Sequence, residues 1–212
     1  TNQLAVHLAR IYQRGFKVDL TVLEEVRKEF EQEKQELTVK LEEQVHELMG
    51  DRPINLNSPE QLSWIIYSRK VNDKPTWAEA YEDRVSNTQH TDNIRRLTTK
   101  LYKQKAERCD ECYGSGQIRK TRKDGTPHKN TNKCPTCSST GFLYTNKKDF
   151  AGLKFIAPDY KWASANGFST SKGNLIYLEG IARSRGMHDA EAFLQRVRRL
   201  SALDTYLSSF VE

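Results

Sequence analysis

The chain has 212 residues, with 34 Lys+Arg against 28 Asp+Glu, a formal net charge of +6, and 36% hydrophobic residues. It is long enough to bury a core, too apolar for disorder, and lacks the roughly 18 consecutive apolar residues of a membrane span. Four cysteines in two close pairs exclude a disulfide-stapled secreted fold, and no basic-then-apolar leader follows Thr1, so a soluble protein that stays where it is made is expected.

Leu4 to Tyr12 reads as a short apolar-faced helix stopping near Gly15. A long helix follows, capped by Asp19 or Thr21; Thr21 and Glu24 have the capping-box spacing, in which each side chain satisfies a free backbone N–H of the other. Val22, Val26, Phe30, Leu37, Leu41, Val45 and Leu48 recur at helical steps, with Lys34 filling one gap. So narrow a stripe on so charged a helix needs an antiparallel partner. Gly50 stands where a helix-ending residue with positive φ is wanted.

Ser58-Pro59-Glu60-Gln61 is a second helix start, with an N-cap hydroxyl, a proline at the first helical position and Gln three residues after the cap. Leu62, Ile65 and Ile66 give it a buried face ending around Lys70. Residues 71 to 108 are polar, and Leu97, Leu101 and Tyr102 suggest a modest helix. Lys154 to Pro158 reads as extended or loop, and Phe168-Ser169-Thr170-Ser171 precedes a helix through Leu175, Ile176 and Leu178. A final helix opens near Asp189, after Gly186, with Phe193, Val197, Leu200, Leu203, Leu207 and Phe210 on one face. It is the expected antiparallel mate of the first long helix. The pattern continues to the last residues, and the chain opens without an initiator Met, so a piece of something longer is expected.

The charge is uneven. From Arg95 to Lys148 there are fourteen Lys/Arg and four acids, a local net of +10, which leaves −4 for the rest. Within this stretch Cys109-Asp110-Glu111-Cys112 and Cys134-Pro135-Thr136-Cys137 are two CxxC pairs separated by twenty-one residues. A CxxC turn presents two sulfurs on one knuckle, and two knuckles complete a tetrahedral zinc site with no open position, so a structural Zn2+ is expected. Gly114, Gly116 and Gly141 stand where the knuckles must reverse. Two free thiol pairs or a redox CxxC is the bland alternative; His128, in the intervening loop, is expected to face solvent. The pattern resembles the CxxCxGxG zinc modules of DnaJ-type chaperones, departing from it at Ser139. Arg119, Lys120, Arg122, Lys123, Lys129 and Lys133, with Tyr113 and Tyr144 interspersed, suit a polyanion held through its phosphates.

Outside the cysteine module, ordered segments carry a second resemblance. They are Arg14-Gly15-Phe16-Lys17-Val18-Asp19, the long charged helix, Ile54-Asn55-Leu56-Asn57-Ser58-Pro59-Glu60-Gln61-Leu62, Phe168-Ser169-Thr170-Ser171, and Arg199-Leu200-Ser201-Ala202-Leu203-Asp204-Thr205-Tyr206. In this order they resemble the thumb of family A DNA polymerases, the bacterial polymerase I type and its phage relatives. Ile54 replaces the family's usual Phe, Ser201 and Leu203 stand where relatives often carry lysine, and the cysteine module sits where relatives have a short loop.

The resemblance implies a mainly α fold: a long antiparallel helical hairpin with a small inserted β-rich four-cysteine zinc module. Thumb-like helices would occupy residues 1–70 and 161–212, and the insert 71–160, with its zinc ribbon at about 105–146. It implies duplex primer–template DNA as partner in a bacterial or phage-infected cytoplasm. Ser169, Thr170, Ser171 and Lys172 would touch the phosphate backbone at a helix N-terminus. The family's palm, with its catalytic aspartates and Mg2+, lies outside these residues, so no catalytic residue is expected here. The insert would extend the grip on DNA or, alternatively, dock a replication or processivity protein. A stand-alone nucleic-acid-binding zinc ribbon and a chaperone-like zinc protein are the rival readings.

Overall fold

The computed structural model describes residues 6, 19–82, 86–122 and 125–210. The expected helix over Leu4–Tyr12, apart from Val6, and the approach through Phe16 and Val18 lie outside them. The described residues form a mainly helical fold with small antiparallel sheets. Its helices are α1 (Leu20–Met49), α2 (Pro59–Tyr67), α3 (Lys74–Glu82), α4 (Asn87–Leu97), α5 (Lys172–Ser184) and α6 (His188–Phe210). The strands pair two by two: β1 (Arg69–Val71) with β2 (Thr98–Lys100), β3 (Tyr102–Arg108) with β6 (Phe142–Phe150), β4 (Gln117–Thr121) with β5 (Pro127–Lys133), and β7 (Ala163–Ser164) with β8 (Gly167–Phe168). None of the described helices is long and apolar enough to cross a membrane.

Asp19 caps α1: its Oδ1 accepts the N–H groups of Thr21 at 2.9 Å and Val22 at 3.4 Å. Thr21 is therefore already inside the helix, and the Thr21/Glu24 capping box does not form. The helix ends at Gly50, with φ +83, where a Cβ would stand 2.1 Å from the carbonyl oxygen of Gln104. Glycine is required there twice over, by the left-handed backbone and by the passing strand β3.

The chain makes two compact units, Thr1–Val39 with Arg199–Glu212, and Lys40–Arg198. In the first, the rings of Phe30 and Tyr206 lie 5.9 Å apart, and the Arg199 guanidinium sits 5.7 Å above the Phe30 ring. Arg199 also grips Glu33 through two bonds of 2.7 and 2.6 Å, and Lys34 meets Asp204 at 2.6 Å. Lys34 thus fills the gap in the apolar stripe with an ion pair. The expected stripe residue Val22 is exposed.

The second unit is centred on α2, whose residues Leu62 to Tyr67 are all buried. Ser58 caps it, accepting the Gln61 N–H at 3.4 Å, while the Gln61 side chain turns to the Asn55 N–H at 2.7 Å and leaves the box unreciprocated. The helix stops at Ser68, with φ +58, and the extended stretch after β6 satisfies its last carbonyls. Leu153 N–H donates to Ile65 O at 2.7 Å and Phe155 N–H to Ile66 O at 3.0 Å. Trp77 of α3 is fully buried, its Nε1–H donating to Ser164 O at 2.6 Å and its ring 5.1 Å from that of Phe168.

The modest helix expected around Leu97–Tyr102 is not there. Leu97 ends α4, which opens with a complete capping box between Ser86 and Gln89, and the chain then turns into β2 and β3. The β-branched Thr98 and Thr99 favour the strand, and Thr99 pairs with Lys70 across β1. The loop expected at Lys154–Pro158 and the helices expected after Ser171 and Gly186 are present. Between α5 and α6, Glu179 accepts bonds from Arg183, Gln195 and Arg198, and Leu178, Ala182, Phe193 and Leu194 are buried.

Candidate metal centre and its basic surroundings

Two strand pairs position the cysteines. β3 delivers Arg108 to Cys109 and β6 leaves from Phe142, with Arg108 opposite Phe142; β5 delivers Lys133 to Cys134 and β4 leaves from Gln117, with Lys133 opposite Gln117. Each knuckle closes with the same bonds as the other. Cys109 N–H donates to Gly141 O at 2.9 Å and Cys134 N–H to Gly116 O at 3.0 Å, so each knuckle's first cysteine is tied to the other knuckle's glycine. Ser115 Oγ donates to Cys112 O at 2.7 Å, and Thr140 Oγ1 does the same to Cys137 O at 2.7 Å. The two halves are related as approximate copies.

The glycines make this closure possible. Gly116 (φ +70) and Gly141 (φ +78) carry left-handed backbone, and a Cβ on either would come within 2.3 Å of a carbonyl oxygen, Ser139 O and Gly114 O respectively. Where the second copy departs from glycine, Ser139 adopts φ +74, against +80 at its counterpart Gly114. The serine takes the same turn at a conformational cost that glycine does not incur.

All four cysteines are buried, and their sulfurs lie within 4.8 Å of one another. Cys109 Sγ is 3.9 Å from Cys134 Sγ, and Cys112 Sγ is 3.6 Å from Cys137 Sγ. These are far beyond a disulfide bond of about 2.05 Å. They bracket the edge of about 3.8 Å expected of a tetrahedron with metal–sulfur bonds of about 2.3 Å. Gly116 N–H points to Cys112 Sγ at 3.3 Å and Gly141 N–H to Cys137 Sγ at 3.2 Å, the arrangement that supports thiolate. The Cys137 N–H pulls the Cys134 thiol down, but burial and the protons shared with Cys137 and Cys109 outweigh it and push this thiol up. Burial acts on Cys137 too, yet the Gly141 N–H and the neighbouring thiols hold it below its ordinary value. The four sulfurs form a closed set that can hold a metal ion.

The centre is anchored to the end of α1. Asp51 Oδ2 accepts the Ala106 N–H of β3 at 2.8 Å, and its Oδ1 lies 2.9 Å from His46 Nε2. The Ala106 N–H, followed by His46, holds this carboxyl below its usual range.

Of the cations expected to meet a polyanion, Arg119, Arg122 and Lys133 are exposed; Lys120 and Lys129 lie on β4 and β5, and Lys123 lies outside the described residues. Ile118 packs against the cysteine cluster, so strand alternation turns Arg119 to the opposite face of β4. His128 lies on β5. Arg108, Lys147 and Lys148 are exposed as well. Among the described residues of the Arg95–Lys148 stretch, only Lys105 forms an ion pair, with Glu107 at 3.5 Å. Several cations elsewhere are engaged: Arg183 with Glu191, Arg198 with Glu179, Arg199 with Glu33, Lys74 with Glu60.

The hydroxyl-rich segment is a separate place. Ser171 caps α5, its Oγ accepting the Asn174 N–H at 3.4 Å; Ser169 Oγ accepts the Ser171 N–H at 3.4 Å, and Ser169 O accepts the Tyr67 hydroxyl at 3.0 Å. Ser169, Thr170 and Ser171 line a cavity of about 330 Å³ with Pro59, Ser164, Asn166 and Phe168. Lys172 is exposed on the first turn of α5. The structure thus brings the starts of α2 and α5 to one cavity. Sequence reading missed the Asp51–Ala106 anchor, which no local pattern announces, and the paired roles of Ser115 and Thr140. The latter were legible, each being a hydroxyl three residues after its knuckle's second cysteine.

Comparison with family models, with characterised proteins and with solved structures finds no match for this chain.

Proposed function

We propose that this chain is the duplex-holding part of a template-directed DNA polymerase of the family A type, in which a zinc-pinned basic insert lengthens the grip on primer–template DNA. The observation that carries the reading is the contrast in charge. In the helical body Lys34, Arg183, Arg198 and Arg199 sit in ion pairs, whereas among the described residues from Arg95 to Lys148 only Lys105 has a carboxylate partner and most of the cations, Arg119, Arg122 and Lys133 among them, stand exposed. Unneutralised cations on a rigid scaffold release counterions when they meet phosphates, giving affinity without sequence readout.

The antiparallel hairpin of a thumb is supported by the order of contacts in the first unit, where Phe30 meets Tyr206 and Glu33, further along α1, meets the earlier Arg199. Zn2+ is the metal that suits four thiolates at this spacing, and its role is structural because no ligand position stays open. Ser169 and Ser171 use their oxygens as acceptors, so their O–H groups remain to donate to a phosphate beside Lys172.

The test is binding of a duplex with a recessed end across a salt series. The charge reversals Arg119→Glu, Arg122→Glu and Lys133→Glu together should flatten the slope of log affinity against log salt by about 3, roughly one unit for each phosphate contact removed. An unchanged slope moves the insert to protein docking.

A further inference from the structure

The two knuckles are built alike but surfaced differently. Tyr113 on the first knuckle (φ +51) corresponds to Ser138 on the second (φ +50), and Phe142, the first residue after Gly141, corresponds to Gln117, the first after Gly116. Ser138 and Gln117 therefore show that neither position needs an aromatic side chain. Yet Tyr113 is 75% exposed and Phe142 43% exposed. Both rings hold apolar surface in water that the turns themselves do not require.

Their setting indicates which ligand. The Arg108 guanidinium donates to the Tyr113 carbonyl, and its side chain passes so close over Gly114 that a Cβ there would stand 3.0 Å from Nε. This braces the turn carrying the tyrosine. Arg108 is itself exposed and lies opposite Phe142 in the β3–β6 register, so one cation is bonded to the turn that carries Tyr113 and paired across the strands with Phe142. The two acids on this knuckle are Asp110, which is exposed, and Glu111, whose carboxylate accepts from Thr136 Oγ1 of the other knuckle. With both of them counted, the surrounding stretch still carries a net +10.

We propose that Tyr113, Phe142 and Arg108 form a stacking platform for the unpaired bases of single-stranded nucleic acid, whose phosphates the insert's cations hold. In duplex the faces of the bases are already covered; only a single strand offers flat apolar faces and phosphates together, and any base suffices. The inference rests on the basic insert meeting nucleic acid, as proposed above, and adds that the surface carrying Tyr113 and Phe142 handles the unpaired strand.

The test is a fluorescence-anisotropy titration of the zinc-loaded full chain with labelled oligothymidylate and with a blunt duplex of equal length. Tyr113→Asn, chosen because asparagine tolerates the left-handed backbone, and Phe142→Ser should each weaken single-strand binding about fivefold or more. Duplex binding should change less than about twofold, and Tyr113→Phe should bind like the parent. Equal zinc content in all variants shows that the knuckles are intact. Arg119→Glu with Arg122→Glu should weaken both probes. Equal loss on both probes, or none on the single strand, with Tyr113→Asn and Phe142→Ser overturns the stacking platform while leaving the basic grip standing. Failure of the parent to bind either probe overturns both readings.

Discussion

At the scale of single residues the cysteine module is governed by backbone sign. Gly141 needs both a left-handed conformation and the absence of a side chain, since the Gly114 carbonyl lies 2.3 Å from where a Cβ would be. Gly141→Ala should therefore destabilise the module by about 1–3 kcal/mol, read as a lower melting midpoint of the protein. Ser139→Gly is the converse change. It supplies glycine where φ is already +74 and should leave that midpoint unchanged or raise it. Asp51 shows a second single-residue effect, through pH. Its folded pKa lies below its unfolded value of about 3.9, so its stabilisation is complete above that value and is lost as the pH falls through the folded one. Protection of the Ala106 amide from hydrogen exchange should fade over that acid range, and Asp51→Ala should abolish the dependence on pH there.

Among the elements, α2 is the hub. An ordinary surface helix keeps one face wet, but here every residue from Leu62 to Tyr67 is buried, with β8 and the stretch after β6 laid against it. Trp77 seals this core with its ring against Phe168 and its indole N–H on Ser164. Trp77→Ala empties a large cavity and strands that carbonyl, so a loss of about 3–5 kcal/mol is expected in denaturant unfolding. Helix starts were the most legible features, because capping is local. Ser58-Pro59 and the approach to Lys172 lie where the spacing puts them, and Ser86 with Gln89, unnoticed in the sequence, obeys the same rule. The segment from Leu97 to Tyr102 was misread because its apolar spacing fits a helix, whereas its pairing with β1 and β6 is a non-local fact.

For the whole molecule, metal and core are expected to be separable. The cysteine module is built on four clustered sulfurs and short strands, with Ile118 the apolar residue packed against them among the described residues, while the helical body has its own aliphatic and aromatic interior. Binding energy at such a site is folding energy. Strong chelation should unfold the module and leave the helices, so circular dichroism should lose its strand contribution while the helical signal persists. Collapse of both together would show that the body depends on the metal.

The sequence by itself determined the two CxxC knuckles, the uneven charge, the long charged helix and most of the helix starts, because each of these is written in neighbouring residues. Only the tertiary structure decided which cations are free. Arg198 and Arg199 look as available in the sequence as Arg119 and Arg122, until folding sets Glu179 and Glu33 beside them. It also revealed that Asp51 ties the module to the end of α1, and that Tyr113 and Phe142 stand in water although their counterparts Ser138 and Gln117 make the same turns. The physical reason is common to all three. Caps and metal knuckles are settled over three or four residues, whereas charge pairing and exposure depend on partners that only a complete fold brings together.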